Sequence, residues 1–95
     1  MNDAAKSDDA RALRLRKLRF RAWHRGMREL DLMLGRFVDA QSGALSETDL
    51  EQFEALLDVP DRVVLAWLMG EEPVPDDQES PLIRRIIAWH GGTAA

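Results

Sequence analysis

The sequence predicts an all-α protein, a compact five-helix bundle in a single domain. Apolar residues recur at three- and four-residue spacing in successive segments, the pattern of helices that each bury one face. Helix start and stop residues bound these segments: Ser46, Pro60 and Ser80-Pro81 open them, and Gly26, Gly43, Gly70 and Gly91-Gly92 close them. No run alternates apolar and polar residues between turn dipeptides, so no strand is expected. At 95 residues the chain has the length of one domain, able to bury about 60–65% of its unfolded surface.

The first helix is expected from about Asp9 to His24, after a disordered lead-in over residues 1–9. Its apolar members are Leu13, Leu15, Leu18 and Ala22, with Phe20 and Trp23 on an uncertain rotation. Gly26, directly after basic residues, marks its end, since glycine takes a left-handed conformation at little steric cost. The second helix, Met27 to about Ala40, carries Leu30, Met33, Leu34, Phe37 and Val38 on one face. Gly35 inside it costs about 1 kcal/mol relative to alanine, which points to a close helix crossing. Ser46 and Asp49 form a capping pair for the third helix, which buries Leu50, Phe53, Leu56 and Leu57. Asp58 is expected to cap the fourth, with Pro60 in its first turn and Val63, Val64, Trp67 and Leu68 inward. Glu71 to Glu79 reads as an acidic solvated loop stiffened by Pro73 and Pro75. Ser80-Pro81 opens the fifth helix, with Leu82, Ile83, Ile86 and Ile87 inward and Trp89 or His90 at the margin. Gly91-Gly92 is expected to stop it, leaving a flexible tail at 91–95, so the helical domain spans 10–90.

A net charge of −4 conceals a sharp polarity. Residues 11–28 hold eight basic residues and no acid, whereas residues 29–95 hold four basic and fourteen acidic residues, a net of −10. A nucleic-acid arm, a site for an acidic protein partner, and a helix docked on its own acidic bundle all fit this asymmetry. The acidic remainder would repel a phosphate backbone, and no helix-turn-helix with a basic recognition helix is visible. Nucleic-acid binding through the first helix is therefore kept as the alternative, beside a generic helical interaction regulator. Trp23, flanked by Arg21, His24 and Arg25, has the character of an interface anchor.

Chemistry is poorly supported. The chain has no cysteine, which excludes disulfides, thiolate metal sites and cysteine nucleophiles. His24 and His90 lie far apart and in no metal-ligand spacing, so no metal is expected. Ser46 and Ser80 stand where helix caps stand. Glu29 and Asp31, two apart on a helix, face different ways and cannot share a reacting atom. No apolar run approaches the roughly 20 residues that span a bilayer, and the N-terminus has no signal-peptide character. The expected location is cytoplasmic.

The stretch Trp23-His24-Arg25-Gly26-Met27-Arg28-Glu29-Leu30-Asp31-Leu32 resembles the Arg-Gly-x-x-Glu motif of the succinate dehydrogenase flavinylation factors, also called succinate dehydrogenase assembly factor 2 or SdhE-type proteins. The resemblance spans roughly residues 11–90. It continues through Leu32-Met33-Leu34-Gly35-Arg36-Phe37, Leu56-Leu57-Asp58, Pro60-Asp61 and Trp67-Leu68-Met69-Gly70. It implies a five-helix bundle that binds the flavoprotein subunit of succinate dehydrogenase and, in some bacteria, of fumarate reductase. It also implies a non-enzymatic assembly factor that promotes covalent attachment of FAD to a histidine of its client; the free chain is expected to be a monomer. FAD is then the client's cofactor and none is bound permanently here. Arg25, Gly26 and Glu29 match the fixed positions of the motif, and Asp31 matches a frequent acid after it. Trp23, His24 and Arg28 are the neighbouring candidates for client binding. At these matched positions Gly26 is expected to allow close approach of the client, Arg25 to offer a planar fork to a client group, and Glu29 to orient Arg25 or accept a hydrogen bond from the client. The long lead-in and the arginine-rich first helix depart from the simplest members.

Overall fold

The computed structural model describes the backbone of residues 2–94 and the side chains of residues 9–90. Five α-helices follow in order: α1 Asn2–Trp23, α2 Arg28–Gln41, α3 Glu47–Leu57, α4 Asp61–Leu68 and α5 Pro81–Ala94. Short 3-10 turns occupy Ser42–Ala44 and Asp76–Gln78, and the described residues contain no strand.

The core is the one the periodicity demands. Leu30, Leu34, Phe37 and Val38 of α2 meet Leu50, Phe53, Leu56 and Leu57 of α3, Val64, Trp67 and Leu68 of α4, and Leu82, Ile83 and Ile86 of α5. Leu18 and Ala22 are the buried members of α1. Burial of this kind stabilises by about 1.5–3 kcal/mol per large side chain. Phe37 sits at the junction, with the Phe53 ring 6.0 Å away and the Trp89 ring 5.7 Å away edge-on.

The capping pair forms as expected. Asp49 N–H donates to Ser46 Oγ at 3.0 Å, and Ser46 N–H donates to Asp49 Oδ2 at 2.9 Å. Asp49 also receives Arg85 of α5 at 2.7 Å, so one carboxylate starts α3 and ties it to α5. Ser80 Oγ likewise accepts Ile83 N–H at 3.2 Å to open α5.

Some boundaries differ. α1 begins at Asn2 rather than near Asp9. The added segment has alanines, good helix formers, and acids that favour a helix N-terminus. α5 runs through Gly91-Gly92 to Ala94, because glycine weakens a helix without removing a donor as proline does. Asp58 closes α3 instead of capping α4. Pro60 is the α4 cap residue, and its carbonyl accepts the N–H groups of Val63 and Val64. The acidic loop is exposed except for Val74, which is buried.

Candidate functional site

The turn between α1 and α2 is only four residues long, and three features fix it. Gly26 takes φ +92°, a region that side-chain-bearing residues rarely adopt. The backbone N–H of Arg25 donates to Asp31 Oδ1 at 2.6 Å, so the acid after the motif ties the turn to the first turn of α2. The Arg25 guanidinium reaches across to the start of α4. Its Nη2 lies 2.6 Å and its Nε 2.9 Å from Asp61 Oδ1, and Nη2 also donates to the Val59 carbonyl at 3.2 Å. The Arg25 side chain is only 13% exposed and that of Asp61 25%.

This changes the roles expected of the motif. Arg25 is not a fully open fork: Asp61 and Val59 take its Nε and Nη2 donors. Glu29 does not orient it, since Asp61 does. The Arg25–Asp61 pair instead braces the turn against the α3–α4 junction. What the brace presents outward is Gly26, Arg28 and Glu29, all exposed. A Cβ on Gly26 would meet nothing within 4 Å, so the space before this backbone is open. Neither Arg28 nor Glu29 has a side-chain partner among the described residues, while Met27 packs partly against the core.

Trp23 and His24, expected as neighbours of the site, behave differently from one another. The Trp23 ring lies on Gly35 of α2 so closely that a Cβ there would come within 2.2 Å of it. Its indole N–H reaches Asp39 Oδ2 at 3.3 Å. Trp23 is thus chiefly the partner in the close helix crossing that Gly35 foretold, and only its edge remains for an interface. His24 is exposed and stacks on Phe20, with ring centroids 4.1 Å apart. Its Nδ1 lies 2.7 Å from the Phe20 carbonyl, which places the proton on Nδ1.

The basic first helix is largely neutralised by the bundle. Arg11 pairs with Glu47 at 3.1 Å, Arg14 with Glu54 at 2.8 Å, Arg21 with Asp58 at 2.8 Å and Arg25 with Asp61 at 2.6 Å. These partners advance together along the chain, so α1 and α3 run in the same direction. Arg19 turns the other way, to Asp39 of α2 at 2.6 Å. Arg16, Lys17 and Arg28 are left without a side-chain partner among the described residues. The Arg14–Glu54 contact lowers the Glu54 carboxyl below its ordinary range, chiefly through the hydrogen bond from Arg14. The charge asymmetry is therefore first of all a docking device for α1.

The roles of Asp61, Val59 and Phe20 escaped the sequence reading. Asp61 stood there only within the Pro60-Asp61 segment of the resemblance, and Phe20 only as an apolar member of the first helix. The recoverable signal was the offset of 36 to 40 residues that separates Arg11, Arg14, Arg21 and Arg25 from Glu47, Glu54, Asp58 and Asp61. Among the described residues no cluster of histidines and acids is placed to hold a metal, and none of the helices is long and apolar enough to cross a membrane.

Residues 16–90 match the family model described as "Flavinator of succinate dehydrogenase". Curated relatives agree. The chain is 37% identical over 81 residues to the FAD assembly factor SdhE of Acetobacter pasteurianus, covering 85% of this chain and 74% of that protein. It is 39% identical over 74 residues to the FAD assembly factor SdhE of Shewanella oneidensis, covering 78% and 85%. It is 31% identical over 71 residues to the mitochondrial succinate dehydrogenase assembly factor 2 of Dictyostelium discoideum, covering 75% and 50%. No solved structure matches the chain.

Proposed function

This chain belongs to the family described as flavinator of succinate dehydrogenase, and on that premise we propose that it binds the flavoprotein subunit of succinate dehydrogenase and promotes covalent attachment of FAD to it. It acts as an assembly factor in the cytoplasm, as a monomer when free. The flavoprotein of fumarate reductase is the second client in this reading. The bond between flavin and histidine is made by groups of the client and its own FAD.

The observation that carries the reading is the braced corner. Gly26 offers bare backbone with open space before it, so a partner backbone can approach without meeting a side chain. Arg28 and Glu29 flank it with a cation and an anion that the bundle leaves unsatisfied, ready for charged or polar groups of the client. Arg25, Asp61 and Asp31 do not touch the client in this account; they hold the corner in shape. A rigid corner loses little freedom on docking, which favours holding the client in one conformation.

The test is deletion of the gene followed by in-gel fluorescence of covalent flavin on the denatured succinate dehydrogenase flavoprotein. The signal is expected to fall and to return with the wild-type gene but not with Gly26→Arg. Unchanged covalent flavin in the deletion strain would sink the reading.

A further inference from the structure

α1 has two apolar faces. Leu18 and Ala22 point into the core, with Leu15 partly buried beside them. On the opposite side Leu13 is 44% exposed and Phe20 64% exposed. A helix advances about 100° per residue, so Leu13, Arg16, Lys17, Phe20 and His24 share one outward stripe. The stripe ends two residues before Gly26. Phe20 is held upright by its stack on His24. Beside it opens a groove of about 310 Å³ lined by Arg16, Arg19, Phe20, Trp23 and His24. A second groove, between α1 and α2, shares Arg16 and Arg19 with the first and continues it to Val38 and Ser42.

We propose that this outward stripe of α1 is a docking surface for an acidic segment of the client flavoprotein, which enters the groove at Phe20 and runs from the Gly26 corner along α1. The proposal rests on the function proposed above and extends its interface by about three helical turns. Charge selects the occupant. Among the described residues of α1, Arg16 and Lys17 are the cations that no acid of the bundle neutralises, and they flank the exposed Phe20. A second copy of this chain paired symmetrically through the stripe would set these cations against their own kind. A nucleic acid would meet the bundle that follows α1, which carries a net charge of −10 over residues 29–95. An acidic segment with one large apolar side chain satisfies both the free cations and the exposed ring. Carboxylates opposite Arg16 and Lys17 would speed encounter, and the apolar side chain on Phe20 would anchor it.

The experiment measures binding of the purified, unflavinylated succinate dehydrogenase flavoprotein at low and high salt. Wild type, Phe20→Ala, the double variant Arg16→Glu/Lys17→Glu, and Gly26→Arg are compared. All substituted side chains are exposed, and circular dichroism checks that each variant is folded. Phe20→Ala is expected to weaken binding about tenfold, and Arg16→Glu/Lys17→Glu by at least that much at low salt and less at high salt. Wild-type affinity in both α1 variants, with loss in Gly26→Arg, overturns the docking surface and leaves the proposed function standing. No binding by the wild type overturns both. A wild-type dimer that Phe20→Ala dissociates while flavoprotein binding is unchanged assigns the stripe to a second copy and overturns the proposal. Loss of single-stranded RNA binding with unchanged flavoprotein binding does the same.

Discussion

At the scale of single residues, Arg25 and Gly26 illustrate two ways in which a motif position serves a site. Gly26 has a conformational task that the sequence announced, because a glycine after a basic helix end is a familiar stop. With φ at +92°, Gly26→Ala should cost about 1–2 kcal/mol through backbone strain alone, since no side-chain clash awaits it. Arg25 has a structural task that the sequence could not announce. Its partner Asp61 lies 36 residues away on another helix, and a long-range pair is visible only after folding. Removing one member of this largely buried pair should destabilise by about 2–3 kcal/mol, between the cost for a surface pair and for a fully buried one. Arg25→Ala and Asp61→Ala should each lower the denaturation midpoint, and the double variant should cost clearly less than their sum. Additive effects in that cycle would mean that the brace contributes nothing. The reversed pair Arg25→Asp/Asp61→Arg should recover part of the stability. An Arg25 variant is therefore expected to lose function through a displaced corner.

At the scale of elements, the helices were legible because burial imposes a 3.6-residue period on each of them, and α2 to α5 have a single apolar face. α1 was harder to orient for a physical reason. Its polar residues face three ways: Arg11, Arg14 and Arg21 toward α3, Arg19 toward α2, and Arg16 and Lys17 outward. Its apolar residues are likewise divided between core and surface, so no single stripe stands out. The crossing of α1 and α2 was foretold by Gly35, but the residue that fills the gap, Trp23, had been read as an interface anchor. Gly35→Ala should destabilise by about 1–3 kcal/mol, because the added methyl meets the Trp23 ring. Thermal melts check this, and a neutral Gly35→Ala would contradict the packing described. The ion pairs of α1 lie mostly at the surface, so each contributes at most about 1 kcal/mol. Together they decide which face of α1 turns inward more than they set its stability.

At the scale of the whole molecule, charge couples the fold to its surroundings. Asp49 sits below the ordinary 3.8, chiefly through the Ser46 N–H, and Glu54 below the ordinary 4.5, chiefly through Arg14. Both are lowered on folding, so the stability they contribute is present above these ordinary values and is lost as pH falls through the folded ones. His90 is lowered from 6.5 chiefly by burial. Its protonation therefore favours the unfolded chain, and this loss begins as pH drops below 6.5. Thermal melts from pH 7.5 to about pH 3 should show a shallow decline near pH 6 and a steeper one below about pH 4.5. His90→Gln should remove the first and keep the second. The fold class was readable in the sequence because burial imposes local patterning, and the motif's location was given by the family resemblance of residues 23–32. The division of the motif into a brace and an exposed corner was not, because tertiary contacts set it. Covalent flavin on the succinate dehydrogenase flavoprotein tests that division most directly when Gly26→Arg is compared with Asp61→Ala and with the reversed pair Arg25→Asp/Asp61→Arg. The account predicts loss of covalent flavin with a folded Gly26→Arg protein, loss with Asp61→Ala, and recovery with the reversed pair. Full flavinylation by Gly26→Arg, or none by a stably folded reversed pair, would contradict it.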